Sequence, residues 1–144
     1  MKRFFAILAV LVCISFISSA DDDYAIPFNQ IPSASQAFVK KHFPESQVSY
    51  CMRDSHSYEV RFSDGAEVEF NNSGNWKEVD CKYKAVPASV IKLIPASIPT
   101  YAGNNFQNTV ITKVNAKPWG YELELSNGLD LEFDKAGNFL RIDD

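Results

Sequence analysis

Charged side chains stand at alternating positions in two stretches of this chain, and they are the residues best placed to do chemistry. The first stretch carries Glu59, Arg61, Glu67, Glu69 and Glu78. The second carries Glu122, Glu124, Asp130, Glu132 and Arg141. Carboxylates spaced in this way supply hard oxygen ligands for calcium. They also suit a basic partner surface, which complementary charge would steer into contact. The acidic run Asp21-Asp22-Asp23 is a further source of oxygen ligands. No stretch has the spacing of a twelve-residue calcium loop, and Asp134-Lys135-Ala136-Gly137 offers too few oxygens. No metal site is therefore assigned.

Catalytic chemistry has little to stand on. The histidines are His42, near an expected helix end where a cation suits the dipole, and His56, in an Asp54-Ser55-His56-Ser57 turn. There is no His-x-x-x-His, Cys-x-x-Cys, Gly-x-Ser-x-Gly or phosphate loop. A zinc site built from the histidines with Cys51 and Cys81 lacks the usual ligand spacing. The chain is read as a non-enzyme without a cofactor.

The elements that position the charged residues occur twice. Tyr58-Glu59-Val60-Arg61-Phe62-Ser63-Asp64-Gly65-Ala66-Glu67-Val68-Glu69-Phe70 returns 63 residues later as Tyr121-Glu122-Leu123-Glu124-Leu125-Ser126-Asn127-Gly128-Leu129-Asp130-Leu131-Glu132-Phe133. The offset holds onward, Ser73-Gly74-Asn75-Trp76 matching Ala136-Gly137-Asn138-Phe139. A fixed internal period must be read before anything else. Here it predicts two tandem units, 31–81 and 86–143, each a helix followed by four strands. The short join Cys81–Ala85 predicts one continuous antiparallel sheet of about eight strands, an α+β fold with helices on one face.

The hairpin register follows from side-chain alternation. A two-residue turn on Asp64-Gly65 would set Phe62 against Glu67. A three-residue loop, Ser63-Asp64-Gly65, pairs Phe62 with Ala66, Val60 with Val68 and Tyr58 with Phe70, with Gly65 left-handed. Ser126-Asn127-Gly128 solves the same problem, pairing Leu125 with Leu129, Leu123 with Leu131 and Tyr121 with Phe133. The charged residues then share the other face. Glu59 opposes Glu69, Glu122 opposes Glu132 and Glu124 opposes Asp130, like-charge pairs that weaken a sheet. Arg61 opposes Glu67. Trp76, Glu78, Phe139 and Arg141 are expected on this face too. Exposed aromatics on an acidic sheet make a protein-binding surface. A plain solvated face, with Glu guarding against edge aggregation, is the competing reading.

The helices are less sharply drawn. Ser33, with Gln36 three residues on, makes a capping box. Ala34, Ala37, Phe38 and Lys41 form the expected apolar face, and Pro44 ends the helix. In the second unit Val90, Ile91 and Ile94 supply the apolar face, and Pro95 and Pro99 shorten or kink the helix. Thr100 to Asn108 has no counterpart in the first unit, and its Gly103-Asn104-Asn105 is read as a loop.

Residues 1–20 carry a basic start at Lys2 and Arg3, an apolar run and Ser18-Ser19-Ala20, the pattern of a secretory signal peptide. The run is shorter than the roughly 20 residues of a spanning helix. Residues 21–30 are read as a flexible lead-in, and 31–144 as one domain. Cleavage leaves 12 basic against 18 acidic residues, which disfavours nucleic acid and anionic membranes. Two cysteines in an exported chain suggest a disulfide. A meander instead puts Cys51 and Cys81 on non-adjacent strands, beyond the roughly 7 Å limit of a bridge.

The leader, the twice-used Ile/Val-Pro-(small)-Ser helix, the Tyr-Glu strand, the Asn/Asp-Gly turn, Glu-Phe and the Gly-Asn-(aromatic) turn together resemble the PepSY-like, beta-lactamase-inhibitor-like family of exported Bacteroidetes proteins. The resemblance runs over residues 31–143. It implies the joined antiparallel sheet with helices on one face, and it implies inhibition or regulation of a secreted or envelope enzyme. The expected protein is exported, periplasmic or secreted. Its expected partner is an unidentified envelope protein, with no nucleic acid and no stable membrane insertion once the leader is removed.

Overall fold

The computed structural model describes residues 23–143; the leader expected at 1–20 lies outside them. Nine strands form one sheet in chain order, each antiparallel to the next. They are β1 (Tyr24–Ile26), β2 (Val48–Arg53), β3 (Ser57–Phe62), β4 (Glu67–Asn71), β5 (Trp76–Asp80), β6 (Ile111–Lys117), β7 (Gly120–Leu125), β8 (Asp130–Asp134) and β9 (Phe139–Asp143). The helix α1 (Ser33–His42) precedes β2, and α2 (Ala88–Ile91) and α3 (Ser97–Asn105) lie between β5 and β6. The sheet is continuous through β5 and β6, where Val79 faces Val114.

Both hairpins adopt the register read from alternation. Val60 pairs with Val68 and Tyr58 with Phe70; Leu123 pairs with Leu131 and Tyr121 with Phe133. The Phe62 N–H donates to the Ala66 carbonyl, and Leu125 donates to Leu129 in the same way. Gly65 has φ +92°, the left-handed conformation that lets the loop close without putting apolar against acid.

The sheet has one strand more than expected. The lead-in is ordered where β1 pairs with β2, Ile26 opposite Cys51, and a turn of 3₁₀ helix follows at Phe28–Gln30. A three-residue strand gains little from its own sequence, and its order comes from the edge it completes.

The core lies between the sheet and the helices. Val60, Phe62, Val68, Phe70, Val79, Val114, Leu123, Leu125, Leu131 and Phe133 point toward the helices and are buried. Helix α1 turns Ser35, Val39 and His42 inward, while Ala34, Ala37 and Lys41 are exposed. The expected face was therefore rotated by about one residue. Ser35 can face the core because its hydroxyl donates to the Gly74 carbonyl at 3.0 Å. Ser33 is the first helical residue and makes no side-chain cap. Gln36 instead turns its amide back onto the Ile31 carbonyl at 2.9 Å.

The second helical region divides at Pro95. Val90 and Ile94 are buried as expected. Gly103, Asn104 and Asn105 are helical rather than a loop: Pro99 falls in the first turn of α3, where no N–H is needed, and the helix runs on to Asn105. Cys51 and Cys81 are separate, buried thiols, and burial pushes Cys81 up to about 11.

Candidate functional site

Two rows of side chains cross the helix-free face. One runs Tyr50, Arg61, Glu67, Asp80, Lys113, Glu124, Asp130, Asp143. The other runs Met52, Glu59, Glu69, Glu78, Asn115, Glu122, Glu132, Arg141. The pleat forces this arrangement, since every second residue of each strand faces the same way.

The rows bring together ten of the twelve residues singled out from sequence. Trp76 and Phe139 lie on the other side. A register shift after Glu69 leaves Lys77 as the extra residue and sets Trp76 opposite Phe70. A matching shift after Glu132 leaves Leu140 extra and sets Phe139 opposite Phe133. Each bulge turns its aromatic under a helix. Trp76 lies 6.3 Å from Phe38 of α1, ring centre to ring centre, and Phe139 stacks on Tyr101 of α3 at 4.4 Å.

Charge is balanced unevenly along the rows. Over β3–β6 the carboxylates have partners: Arg61 bridges Glu59 and Glu67, Lys77 meets Glu69, Lys82 meets Glu67 and Asp80, and Lys113 meets Glu78. Over β7–β9 the ion pair among the described residues is Arg141 with Glu132. Glu122, Glu124, Asp130 and Asp143 have none there. Burial raises the Glu122 carboxyl above its ordinary range, with the Asp130 charge adding to it. Burial also raises Asp130. Glu122, Glu132 and Asp143 each place an oxygen within 4.8 Å of the others. That span matches two oxygens on opposite sides of a calcium ion, at roughly 2.3–2.6 Å each.

Beside this acidic corner the sheet exposes apolar surface that sequence reading missed. Trp119, in the turn from β6 to β7, is 44% exposed, and Leu140 is 52% exposed. With Glu132 and Arg141 they line a cleft of about 550 Å³. Leu140 faces this side through the bulge, which alternation cannot reveal. Trp119 follows Pro118 in a turn, where strand periodicity says nothing.

The histidines have structural surroundings. His42 is buried, not at the surface, and its Nδ1 lies 2.7 Å from the Ser89 hydroxyl, tying α1 to α2. Among the described residues no carboxylate bonds this ring. The His56 N–H donates to Asp54 at the head of its turn.

Residues 19–62 and 56–141 match the family described as "Putative beta-lactamase-inhibitor-like, PepSY-like". The chain is a PepSY-like protein. Three crystal structures share its fold. One, from Bacteroides thetaiotaomicron, is described as a "putative calcium-regulated periplasmic protein". It is 40% identical over 88% of this chain and 100% of its own, with a TM-score of 0.81. Two from Bacteroides vulgatus, both described as periplasmic, are 37% and 38% identical. They cover 88% and 85% of this chain and 100% and 99% of their own, with TM-scores of 0.79 and 0.78. No curated protein matches the chain. This PepSY-like protein is exported, periplasmic or secreted. No helix among its described residues is long and apolar enough to cross a membrane.

Proposed function

We propose that this PepSY-like protein is a non-catalytic binding module that docks another protein on the β7–β9 end of its open sheet face. The observation that carries the reading is the exposed Trp119 and Leu140 beside Arg141, near Glu122, Glu124 and Asp130, which make no ion pair among the described residues. Trp and Arg dominate binding energy at interfaces, and surrounding charge selects the partner and speeds encounter. The matching partner presents an apolar knob within a basic surface. Glu122, Glu124 and Asp130 meet its cations, while Glu132 is buried and already paired with Arg141. Glu59, Arg61, Glu67, Glu69 and Glu78 are already paired and contribute at the margin. Inhibition or regulation of an envelope enzyme is the sharper form of the proposal.

The test is capture from the envelope fraction of the source cells by residues 21–144, beside a Trp119→Ser, Leu140→Ser variant that melts at the same temperature. A protein held by the wild type and lost by the variant supports the site. Equal capture moves docking elsewhere on the molecule.

A second reading is favoured by the Glu122, Glu132, Asp143 cluster and by the description of the 40%-identical relative. In it the acidic corner takes a calcium ion. Millimolar calcium then raises the melting temperature, by about 2.7 kcal/mol of stability at a hundredfold excess over the dissociation constant. Glu122→Gln with Asp143→Asn abolishes the rise. A wild type indifferent to calcium removes this reading.

We also read the chain as two like units. Ser35 donates to the Gly74 carbonyl and Ser97 to that of Gly137. Phe38 lies against Trp76 as Tyr101 lies against Phe139.

A further inference from the structure

A second cleft, of about 440 Å³, opens on the helix side of the molecule. It lies between α2, α3 and the start of β6, away from the acidic corner. Ile91, Pro99, Ala102, Val110, Ile111 and Leu125 give it apolar walls. Its size falls within the range of small-molecule sites, roughly 300–1,000 Å³. Lys92 is the one charged residue among those lining it. Among the described residues Lys92 makes no ion pair.

Gly103 strengthens the case. It sits inside α3, where glycine is a poor helix former. Its φ lies outside the left-handed range, and a Cβ built on it would meet nothing within 4 Å. Neither backbone conformation nor packing calls for glycine there. Gly103 lines the cleft, and a side chain added there would extend into open space.

We propose that this cleft binds a free single-chain carboxylate, its hydrocarbon tail on the apolar walls and its head group against the Lys92 ammonium. Lys92 is the one charged residue lining this apolar opening, so the cleft favours an anionic head group over a neutral one. The tail gains by leaving water, and the charged head remains at the solvent edge beside Lys92.

The experiment is calorimetric titration of residues 21–144 with dodecanoate and with dodecan-1-ol, both below their aggregation limits. The wild type is expected to bind dodecanoate about tenfold more tightly than the alcohol. Lys92→Gln is expected to remove that preference while still binding the alcohol. Gly103→Leu, which favours helix and fills the cleft, is expected to bind neither and to melt no lower than the wild type. Absence of dodecanoate binding to the wild type overturns the proposal, as does unchanged binding by Gly103→Leu. Equal dodecanoate affinity in Lys92→Gln overturns the head-group assignment and with it the ligand class. A sedimentation arm with phosphatidylglycerol vesicles addresses the other source of acyl chains. Cosedimentation without dodecanoate binding also overturns the proposal.

Discussion

Glu132 and Arg141 face each other across β8 and β9 as an unequal ion pair, the carboxylate side chain 7% accessible and the guanidinium side chain 70%. Removing the cation leaves a buried anion without its partner, which is more disruptive than removing both. Arg141→Met is expected to lower the melting temperature at pH 7, and Glu132→Gln added to it is expected to restore much of the loss. If calcium occupies the corner, Arg141→Met also tightens calcium binding, because the guanidinium no longer competes for Glu132. Thermal melts with and without calcium check both outcomes.

Trp76 and Phe139 serve the core. Tyr101 lies between Phe139 at 4.4 Å and Phe133 at 5.7 Å. Tyr101→Ala removes both contacts and is expected to cost about 2–3 kcal/mol. Trp76→Ala is expected to destabilise to a similar degree. Urea denaturation should show a lower midpoint at unchanged slope. Neither substitution should alter partner capture once the protein is folded.

The turn glycines should differ in their tolerance of alanine. Gly65→Ala meets no neighbour, so only the left-handed backbone opposes it, by about 1 kcal/mol. Gly137 has φ +90°, and a Cβ there would strike Ser97 and would lie 2.7 Å from the Pro95 Cβ. Gly137→Ala is expected to cost roughly twice as much or more. Denaturant titration of the two variants gives the order directly.

The pH response has two opposed parts. Burial, then the Lys41 charge, lowers His42 from its ordinary 6.5. The unfolded chain therefore takes up the proton first, and stability falls as pH drops below about 6.5. Burial, then the Glu67 charge, raises Glu59 above its ordinary 4.5. Here the folded state takes up the proton first. Stability rises as pH falls through the raised value toward 4.5. His42→Gln is expected to flatten the melting-temperature profile between pH 7.5 and 5.5. Glu59→Gln is expected to raise the melting temperature at pH 7 and to flatten the profile on the side above pH 4.5.

Sequence by itself determined the hairpin register and the charged face. Alternation along a strand and the left-handed glycine in its loop are local, so Val60 opposite Val68 and Leu123 opposite Leu131 could be read before any contact was known. The same locality explains what was hidden. The bulges at Lys77 and Leu140 shift one strand by one residue, and Phe38 and Tyr101 reward that shift from far along the chain. Strand β1 is held by its neighbour β2, and Ser35 faces inward because Gly74 leaves it room and a carbonyl. The acidic corner with Trp119 and Leu140 exists only once β9 has docked on β8. Period and turn chemistry set which residues share a face. Long-range packing set where that face breaks its period, and the candidate sites lie at those breaks and at the helix–sheet junction.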